Sequence, residues 1–407
     1  MGKGQEKIKT AQLRILFITP RLPFPPYKGD KLRSYHFIKN LSKNHIVDLI
    51  SFIENKKEMQ CISRLEEYCH RIYPILLPKH ISYLNMTRGI LSKRPFQVSY
   101  YLSSRMAKTV ATVTSDTEYD IVNLVLERMV PHLEHIRQAP IIVDMVDALS
   151  LNMERRWKRE SNLVKKGLIY WEWKRVKEYE YKNKKIANYY IVTSDVDLKA
   201  LDYQTIRTIS NGVEMEEPSS SKPNRQDMDL IFVGNMGYFP NIDAVSYFCD
   251  KVLPKLISLN NKVKFHIVGF NPPPAIKKLD DGKNVFVVGF VEDVREYLKR
   301  SKIFVAPMQS GSGIQNKILE AMACGIPVIS TSCGNAGIGA KDEKQIVVAD
   351  NADDFSKKVL WLLDDEQKRN EIGGEGRKLA QKSFSWNSKT EQLVEVYRKV
   401  IENYNKE

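Results

Sequence analysis

One stretch decides the fold of this chain: residues 310–329 read SGSGIQNKILEAMACGIPVI. Glycine and serine fill the first positions, and the apolar residues that follow predict a helix over residues 314–324. A glycine and a proline directly after it end that helix. Apolar runs at residues 303–306 and 328–329 predict buried strands on either side. The stretch is therefore a strand–loop–helix–strand unit of a parallel α/β sheet.

The loop and the helix start in this stretch have the chemistry of an anion site. The first turn of a helix presents unpaired N–H groups and the positive end of the helix dipole. Lys317 and Glu320 are three residues apart and so share one face of the helix. A cation there suits a phosphate, and a carboxylate can accept hydrogen bonds from sugar hydroxyls. The alternative is a solvated surface pair beside a loop that binds nothing.

Length and composition are typical of a globular protein with two domains. The 407 residues are 43% hydrophobic, and no apolar run approaches the ~18 residues of a membrane span. The lysine-rich start lacks a signal-peptide core, so we expect a cytoplasmic protein. Five cysteines without a C-x-x-C pair argue against a disulfide framework and a zinc site, and we expect no metal.

The net charge is +14, with 63 Lys and Arg against 49 Asp and Glu. Phosphorylated substrates or an anionic membrane surface would match this charge. No nucleic-acid-binding motif accompanies it, and we expect no nucleic-acid partner. Basic and aromatic residues alternate at residues 155–159 and 170–175, which suits peripheral contact with an inner membrane. The alternative for those residues is an aromatic stripe that faces the core.

Strand and helix patterns alternate through two halves of the chain. The first half opens with a strand at residues 13–19, and the second restarts at residues 230–234. We expect a first domain over residues 1–203 with a linker to about 228, a second over 204–385, and a C-terminal helix over 386–407 that packs on the first. Two doubly wound Rossmann-like domains would place their ligand sites at the carboxyl ends of the strands, facing a cleft.

Several short motifs, in this order and spacing, resemble glycosyltransferase family 4, whose members are retaining sugar-nucleotide transferases of the GT-B fold. The resemblance covers nearly the whole chain and is strongest to the branch found in bacterial exopolysaccharide and surface-glycan clusters. It implies a nucleotide-sugar donor that is a substrate rather than a cofactor, and a glycan or polyprenyl-linked acceptor. The motifs are PFPPYKGDKLRSYH (23–36), SNGV (210–213), FVGNM (232–236), PNIDA (240–244) and KILEAMA (317–323).

The resemblance also implies roles for individual residues of the second domain. Glu320 would accept from the ribose hydroxyls, and Lys317 with the N–H groups of the loop would meet the diphosphate or the transferred sugar. The donor-binding residues that it implies are Gly234, Asn235, Phe290, Val291, Ser312, Gly313, Ile314, Gln315, Lys317 and Glu320.

On the acceptor side the resemblance implies Gly29, Asp30 and Arg33, and we add Glu127 at the end of a strand. Lys317, Glu320 and Asp30 would be the catalytic residues. The alternatives are a plain turn glycine at position 29 and a surface helix residue at position 33.

The chain departs from the family pattern at three places. The family carries a second glutamate eight residues before the one at position 320, where this chain has Ser312. Asn235 and uncharged residues replace the basic residues of the glycine loop, and Glu127 and Arg128 stand where a histidine is frequent. Neutralisation of the diphosphate would then depend on Lys317 and backbone dipoles. A sugar-nucleotide epimerase of similar fold, or a non-catalytic assembly protein that binds sugar nucleotides, stays as the alternative.

Overall fold

The structure is a computed structural model that describes residues 11–26, 29–134, 136, 138–215, 228–260, 262–310 and 313–406. The chain divides into two compact units. Unit 1 comprises Met1–Asn211 and Lys389–Glu407, and unit 2 comprises Gly212–Ser388. The division falls after Asn211 rather than after residue 203, because the strand Ile206–Thr208 pairs with the strand Tyr189–Val192 of the first sheet.

Unit 1 is built on a parallel sheet of seven described strands in the order β3-β2-β1-β4-β5-β6-β7. The order reverses between β1 and β4, and the carboxyl ends of strands at such a switch point are where open α/β sheets bind ligands. β1, β4 and β5 are buried almost throughout, as expected for parallel strands with both faces covered. The strands are β1 (Arg14–Thr19), β2 (Ile46–Ile53), β3 (Arg71–Leu76), β4 (Ile121–Val125), β5 (Ile141–Val146), β6 (Tyr189–Val192) and β7 (Ile206–Thr208).

Helices connect these strands, and polar caps fix where several of them begin. Ser103, Asn162 and Ser194 accept hydrogen bonds from first-turn N–H groups of the helices that follow them. The helices are α1 (Gly29–Leu41), α2 (Lys79–Arg88), α3 (Phe96–Tyr100), α4 (Ser104–Asp116), α5 (Leu149–Arg159), α6 (Leu163–Asn183) and α7 (Asp195–Ala200), with 3₁₀ segments at Lys56–Arg64, Gly89–Leu91 and Glu127–His132.

Unit 2 has a second parallel sheet, in the order β10-β9-β8-β11-β12-β13. The order reverses between β8 and β11, so its switch point lies where those two strands end. The strands are β8 (Met228–Val233), β9 (Phe265–Val268), β10 (Val285–Gly289), β11 (Ser301–Ala306), β12 (Val328–Ser330) and β13 (Val347–Val348).

The helices of unit 2 cover this sheet. The helix predicted over residues 314–324 is observed as Asn316–Ala323, and Gly325 follows it with φ +68°, the left-handed conformation that glycine favours. The helices are α8 (Phe239–Tyr247), α9 (Leu253–Leu259), α10 (Pro274–Lys277), α11 (Val294–Arg300), α12 (Asn316–Ala323), α13 (Ser332–Asn335), α14 (Ala352–Asp364) and α15 (Glu366–Leu379), with π-helical segments at Phe248–Val252 and Ala380–Phe384.

The last helix, α16 (Trp386–Tyr404), contributes its residues from Lys389 onward to unit 1. The Tyr397 side chain is fully buried and its hydroxyl donates to Asn123 Oδ1 of β4 at 2.9 Å. Arg207 of β7 forms an ion pair with Glu395 at 3.0 Å. Within the described ranges, no helix combines the length and the apolar character needed to cross a membrane.

Candidate functional site

The first part of the site is the loop that follows β8. Gly269 has a φ of +154°, and a Cβ there would lie 1.8 Å from the Gly234 carbonyl oxygen, so the ends of β8 and β9 approach too closely for a side chain. The amide of Asn241 donates to the Asn235 carbonyl at 2.9 Å, and Asn235 Oδ1 accepts from Gly237 N at 2.9 Å. The structure thus uses the Asn235 side chain to hold its own turn, and the loop offers backbone groups to a ligand.

The second part is the loop that leads into α12. Gly313 has a φ of +75°, and a Cβ at Gly337 would lie 2.3 Å from the Gly313 carbonyl oxygen. Gln315 precedes the helix and makes no side-chain cap hydrogen bond. Among the described residues no side chain caps the first N–H groups of α12, and an anion site requires such N–H groups. Ile314 packs partly against the core, and Ser312 lies outside the described residues.

Lys317 extends back over the start of α12. Its ammonium nitrogen is 2.9 Å from Gln315 Oε1, 3.9 Å from Met308 Sδ beyond β11, and 5.9 Å from the centre of the Phe232 ring of β8. Burial lowers the pKa of Lys317 from 10.5 to about 8, while the nearby Glu320 charge opposes that fall. The lysine is a poorly solvated cation at the switch point of the second sheet.

Glu320 lies one turn further along α12. Its side chain reaches solvent, and within the described ranges its carboxylate accepts no hydrogen bond. The protein atoms around it nonetheless raise the pKa of the carboxyl, and the Lys317 and Arg295 charges oppose that rise. A carboxylate that has no protein partner and lacks full hydration gains most from hydroxyl donors on a ligand.

An aromatic pair lies where β9 and β10 end. Phe270 and Phe290 are 60% and 68% exposed, and their rings meet edge to face with centroids 6.1 Å apart. Gly289, with φ +81°, turns the chain ahead of Phe290, and Val291 packs partly against the core. Large exposed rings often mark an interaction site, and a planar base or a sugar face would cover them.

In unit 1, Asp30 lies in the first turn of α1 and forms a two-bond ion pair with Arg21, which follows β1. The Arg21 Nε–Asp30 Oδ2 bond is 3.0 Å long. A Cβ at Gly29 would meet no atom within 4 Å, so neighbouring atoms do not force a glycine there. Asp30 is thus already neutralised by a protein cation.

Arg33 is not a surface helix residue. It is fully buried, and its Nε donates to Asp144 Oδ2 of β5 at 2.6 Å. Its Nη1 donates to Asn211 Oδ1 at 3.2 Å, and its guanidinium lies 4.7 Å from the centre of the Phe37 ring. Because α1 turns this face toward the sheet, Arg33 connects β5 to the end of unit 1 through its bonds to Asp144 and Asn211.

Glu127, which is predicted on the acceptor side, is also buried. It is 3% exposed, and its Oε1 lies 3.5 Å from Asn183 Nδ2 and 3.4 Å from the Tyr203 hydroxyl. Burial and the neighbouring Glu180 charge raise its pKa well above the usual value. Leu126, with φ +65°, redirects the chain after β4, which turns Glu127 into the core.

The next residue, Arg128, is the functional candidate that the prediction missed. It is partly exposed after β4, and its side chain has no hydrogen bond or ion pair within the described residues. Burial lowers its pKa, the Arg21 charge adds to that fall, and the Tyr101, Asp30 and Asp147 charges oppose it. The sequence signal for Arg128 was its position just after a buried strand. Either Glu127 or Arg128 could face a ligand from that position.

The basic and aromatic stretches lie on α5 and α6. Trp157 and Trp173 stack with centroids 5.5 Å apart at 7°, and Tyr170 packs against both rings. These three rings hold the two helices together, so most of the aromatic pattern is internal. Trp171 points outward, with 41% of its surface exposed.

Comparison with known proteins agrees with this fold. The family model described as glycosyl transferases group 1 matches residues 227–365, which lie in unit 2. The chain is 24% identical to an uncharacterized 44.6 kDa protein in the cps region of Klebsiella pneumoniae, over 85% of this chain and 90% of that protein. It is 29% identical to a GDP-mannose-dependent monoacylated alpha-(1-6)-phosphatidylinositol monomannoside mannosyltransferase of Corynebacterium glutamicum, over 36% of this chain and 42% of that protein.

Among solved structures, Anabaena HepE in complex with UDP matches with a TM-score of 0.62 at 15% identity, over 94% of this chain and 99% of that chain. At this identity the likeness concerns the fold, and it confirms the predicted pair of Rossmann-like domains. The chain therefore has the GT-B fold, and its residues 227–365 match the glycosyl transferases group 1 family.

Proposed function

We propose that this glycosyltransferase transfers a sugar, with retention and without a metal, from a nucleoside diphosphate sugar to a glycan or polyprenyl-linked acceptor in bacterial polysaccharide synthesis. UDP in the HepE structure and GDP-mannose in the name of the mannosyltransferase support a nucleoside diphosphate donor. The location of the Klebsiella relative in a cps region supports the polysaccharide pathway. Membership of family 4 is part of the same proposal.

One observation carries the donor side of the proposal: among the described residues, the start of α12 combines N–H groups without a side-chain cap, the Lys317 ammonium and a Glu320 carboxylate that accepts no hydrogen bond. The N–H groups and Lys317 would stabilise the charge of the leaving diphosphate. Glu320 would accept hydrogen bonds from the ribose and so orient the donor. The departing phosphate can itself take the proton of the attacking hydroxyl, so the chemistry needs no separate protein base.

On the acceptor side, Arg128 suits an anionic acceptor. Arg21 is already paired with Asp30, which leaves Arg128 as a partly desolvated cation after β4. A phosphate carried by a polyprenyl-linked glycan would give this guanidinium the partner that it lacks within the described residues. Asp30 would act through Arg21 rather than on the acceptor directly.

The donor site is tested by thermal shift with UDP, GDP, ADP and CMP on the wild type and on Glu320→Ala. A ligand that binds only the native state stabilises it by about 2.7 kcal/mol at a hundredfold excess over Kd. We expect one diphosphate to raise Tm selectively and Glu320→Ala to weaken that response. Glu366→Ala removes an exposed glutamate from another helix of unit 2 and should leave it unchanged. No response to any nucleotide would reject the donor site.

Turnover separates transfer from the alternatives. Release of free nucleoside diphosphate only in the presence of an acceptor indicates a transferase, whereas conversion of the sugar nucleotide without an acceptor indicates an epimerase. Nucleotide binding without turnover across a panel of acceptors would indicate an assembly protein. The anomeric configuration of the product, followed by NMR with a chelator present, tests retention and metal independence together.

Peripheral contact with the inner membrane is part of the proposal for a lipid-linked acceptor. The exposed cations of α5, among them Arg156 and Lys158, support it. Neutralising Arg155, Arg156 and Lys158 together should weaken binding to anionic vesicles. Unchanged binding would count against this surface.

A further inference from the structure

Unit 1 contains a recess that the glycosyl-transfer chemistry does not use. It has a volume of about 540 Å³, within the ~300–1,000 Å³ range of ligand pockets. Ile141, the first residue of β5, lines it, whereas Arg128 follows the carboxyl end of the neighbouring β4. The recess is therefore distinct from the acceptor-side group.

Six apolar residues line the recess, together with the polar Tyr179 and Asn183 and with charged residues at its rim. Val130 and Leu133 are 4% and 3% exposed, and Ile186, three residues after the end of α6, is 45% exposed. The floor is formed by Tyr179 and Asn183, which also contact Glu127. Apolar walls of this kind accept hydrocarbon rather than a sugar or a free phosphate.

The rim of the recess carries more cations than carboxylates, because Glu178 is paired with Lys182 at 2.6 Å and Glu134 is the other carboxylate that lines it. Lys93 and Arg94 are exposed, and within the described residues neither side chain has a hydrogen bond or an ion pair. Arg175 holds the loop that carries them, because its Nη2 donates to the carbonyl oxygens of Gly89 and Ser92 at 2.8 Å each and also to that of Arg94. The hydrogen bonds of the buried Arg175 thus place Lys93 and Arg94 at the edge of the recess, where both stay available to an anion.

An apolar stripe on α6 continues from the recess onto the surface. Val164, Leu168 and Trp171 are 74%, 61% and 41% exposed. They precede Arg175 by 11, 7 and 4 residues, the spacing that places residues on one face of a helix. Contiguous exposed side chains of this kind mark an interaction surface, and one bordered by cations suits an anionic bilayer.

We propose that this recess binds a single anionic phospholipid of a bilayer. Its phosphate lies between Lys93 and Arg94, and the first carbons of its chain pack on Val130, Leu133 and Ile186. The α6 stripe rests on the bilayer and brings the recess to the lipid. This inference goes beyond the proposed transfer reaction and does not depend on the donor site, so nucleotide binding and lipid binding fail or succeed separately.

The test uses the full chain and a water-soluble lipid below its micelle concentration. Dihexanoyl phosphatidylglycerol carries both the charge and the chain; glycerol phosphate carries only the charge, and dihexanoyl phosphatidylcholine has no net charge. Calorimetry should detect binding of the first and little of the other two. Equal binding of glycerol phosphate would overturn the proposal in favour of a free-phosphate site, and no binding of dihexanoyl phosphatidylglycerol would overturn it outright.

Matched variants locate the binding. Lys93→Gln with Arg94→Gln should weaken the affinity for dihexanoyl phosphatidylglycerol about thirtyfold, the effect of two cations at a lipid surface. Lys174→Gln with Lys177→Gln removes the same charge from exposed positions of α6 that do not line the recess, and it should change little. Equal losses in the two pairs would overturn the proposal. Ile186→Trp, which fills the entrance while retaining every cation, should also abolish binding, and unimpaired binding by that variant would reject the recess.

Discussion

Replacing Lys317 with methionine should stabilise unit 2 and at the same time weaken its affinity for a nucleoside diphosphate. The Lys317 ammonium has one short contact to Gln315 Oε1 and otherwise faces Met308 and Phe232. Burial lowers its pKa from 10.5 to about 8, so the native fold disfavours the charge that donor binding requires. Methionine has a similar length, no charge and a preference for such surroundings.

The size of the stability change follows from that pKa. A fall from 10.5 to about 8 corresponds to about 3 kcal/mol, at about 1.4 kcal/mol per pH unit. We expect Lys317→Met to raise the free energy of unfolding at neutral pH by about 1–3 kcal/mol, since the side chain keeps some contact with solvent. Between pH 8 and 10.5 the unfolded lysine binds more protons than the native one, and the wild type gains stability as the pH rises. The advantage of the variant should therefore fade across that window.

Loss of the ammonium should act oppositely on donor binding. A hydrogen bond to a charged group contributes about 1.5–3 kcal/mol, so the affinity for UDP or GDP should fall roughly tenfold to a hundredfold. Urea unfolding at several pH values and calorimetry with the nucleotide measure the two effects. Lys277→Met, at an exposed position of α10, is the control and should change neither.

The two measurements can refute the reasoning separately. An unfolding free energy that falls in Lys317→Met, or rises equally in Lys277→Met, would show that the buried charge does not destabilise the native state. An unchanged nucleotide affinity would show that the ammonium does not meet the diphosphate.

Three further predictions concern groups of unit 1 and donor binding. Glu127→Gln should change the unfolding free energy little at acidic pH and raise it at neutral pH, because the raised pKa of Glu127 makes the wild type lose stability as the pH climbs above the ordinary glutamate value; urea titrations at both pH values check this. Arg33→Met leaves the Asp144 carboxylate buried without its cation and should cost about 3–5 kcal/mol of unfolding free energy, whereas Arg33→Met with Asp144→Leu should recover most of it. Nucleoside diphosphate affinity should decline above about pH 8 in the wild type and stay flat in Lys317→Met, as calorimetry across that pH range would reveal.

The strand–loop–helix–strand unit that carries the proposed donor side could be predicted because its signals are local. The helix predicted over residues 314–324 is observed as Asn316–Ala323, and the strands predicted on either side of it are β11 and β12. Loop, helix start and charged pair all lie within a dozen residues, so hydrophobic spacing and glycine position suffice.

The burial and the partners of Arg33 and Glu127 could not be predicted from local sequence. Arg33 finds its partner, Asp144, 111 residues away, and Glu127 faces Asn183 and Tyr203, which are 56 and 76 residues away. Helical spacing alone leaves open which face of α1 turns to the sheet. Leu126, which redirects Glu127, has a positive φ, and leucine rarely adopts that conformation.

The proposed acceptor side differs from the proposed donor side in the placement of its charged groups. Its charged groups follow three different strands: Arg21 comes after β1, Arg128 after β4 and Asp147 after β5. Arg21 forms an ion pair with Asp30, and burial lowers the pKa of Arg128. A partly desolvated guanidinium gains more from an anionic ligand than a hydrated one does. Recognition of a phosphate on the acceptor should then depend mainly on Arg128, and Arg128→Gln should raise KM for a phosphate-bearing acceptor about tenfold or more while leaving nucleotide affinity intact.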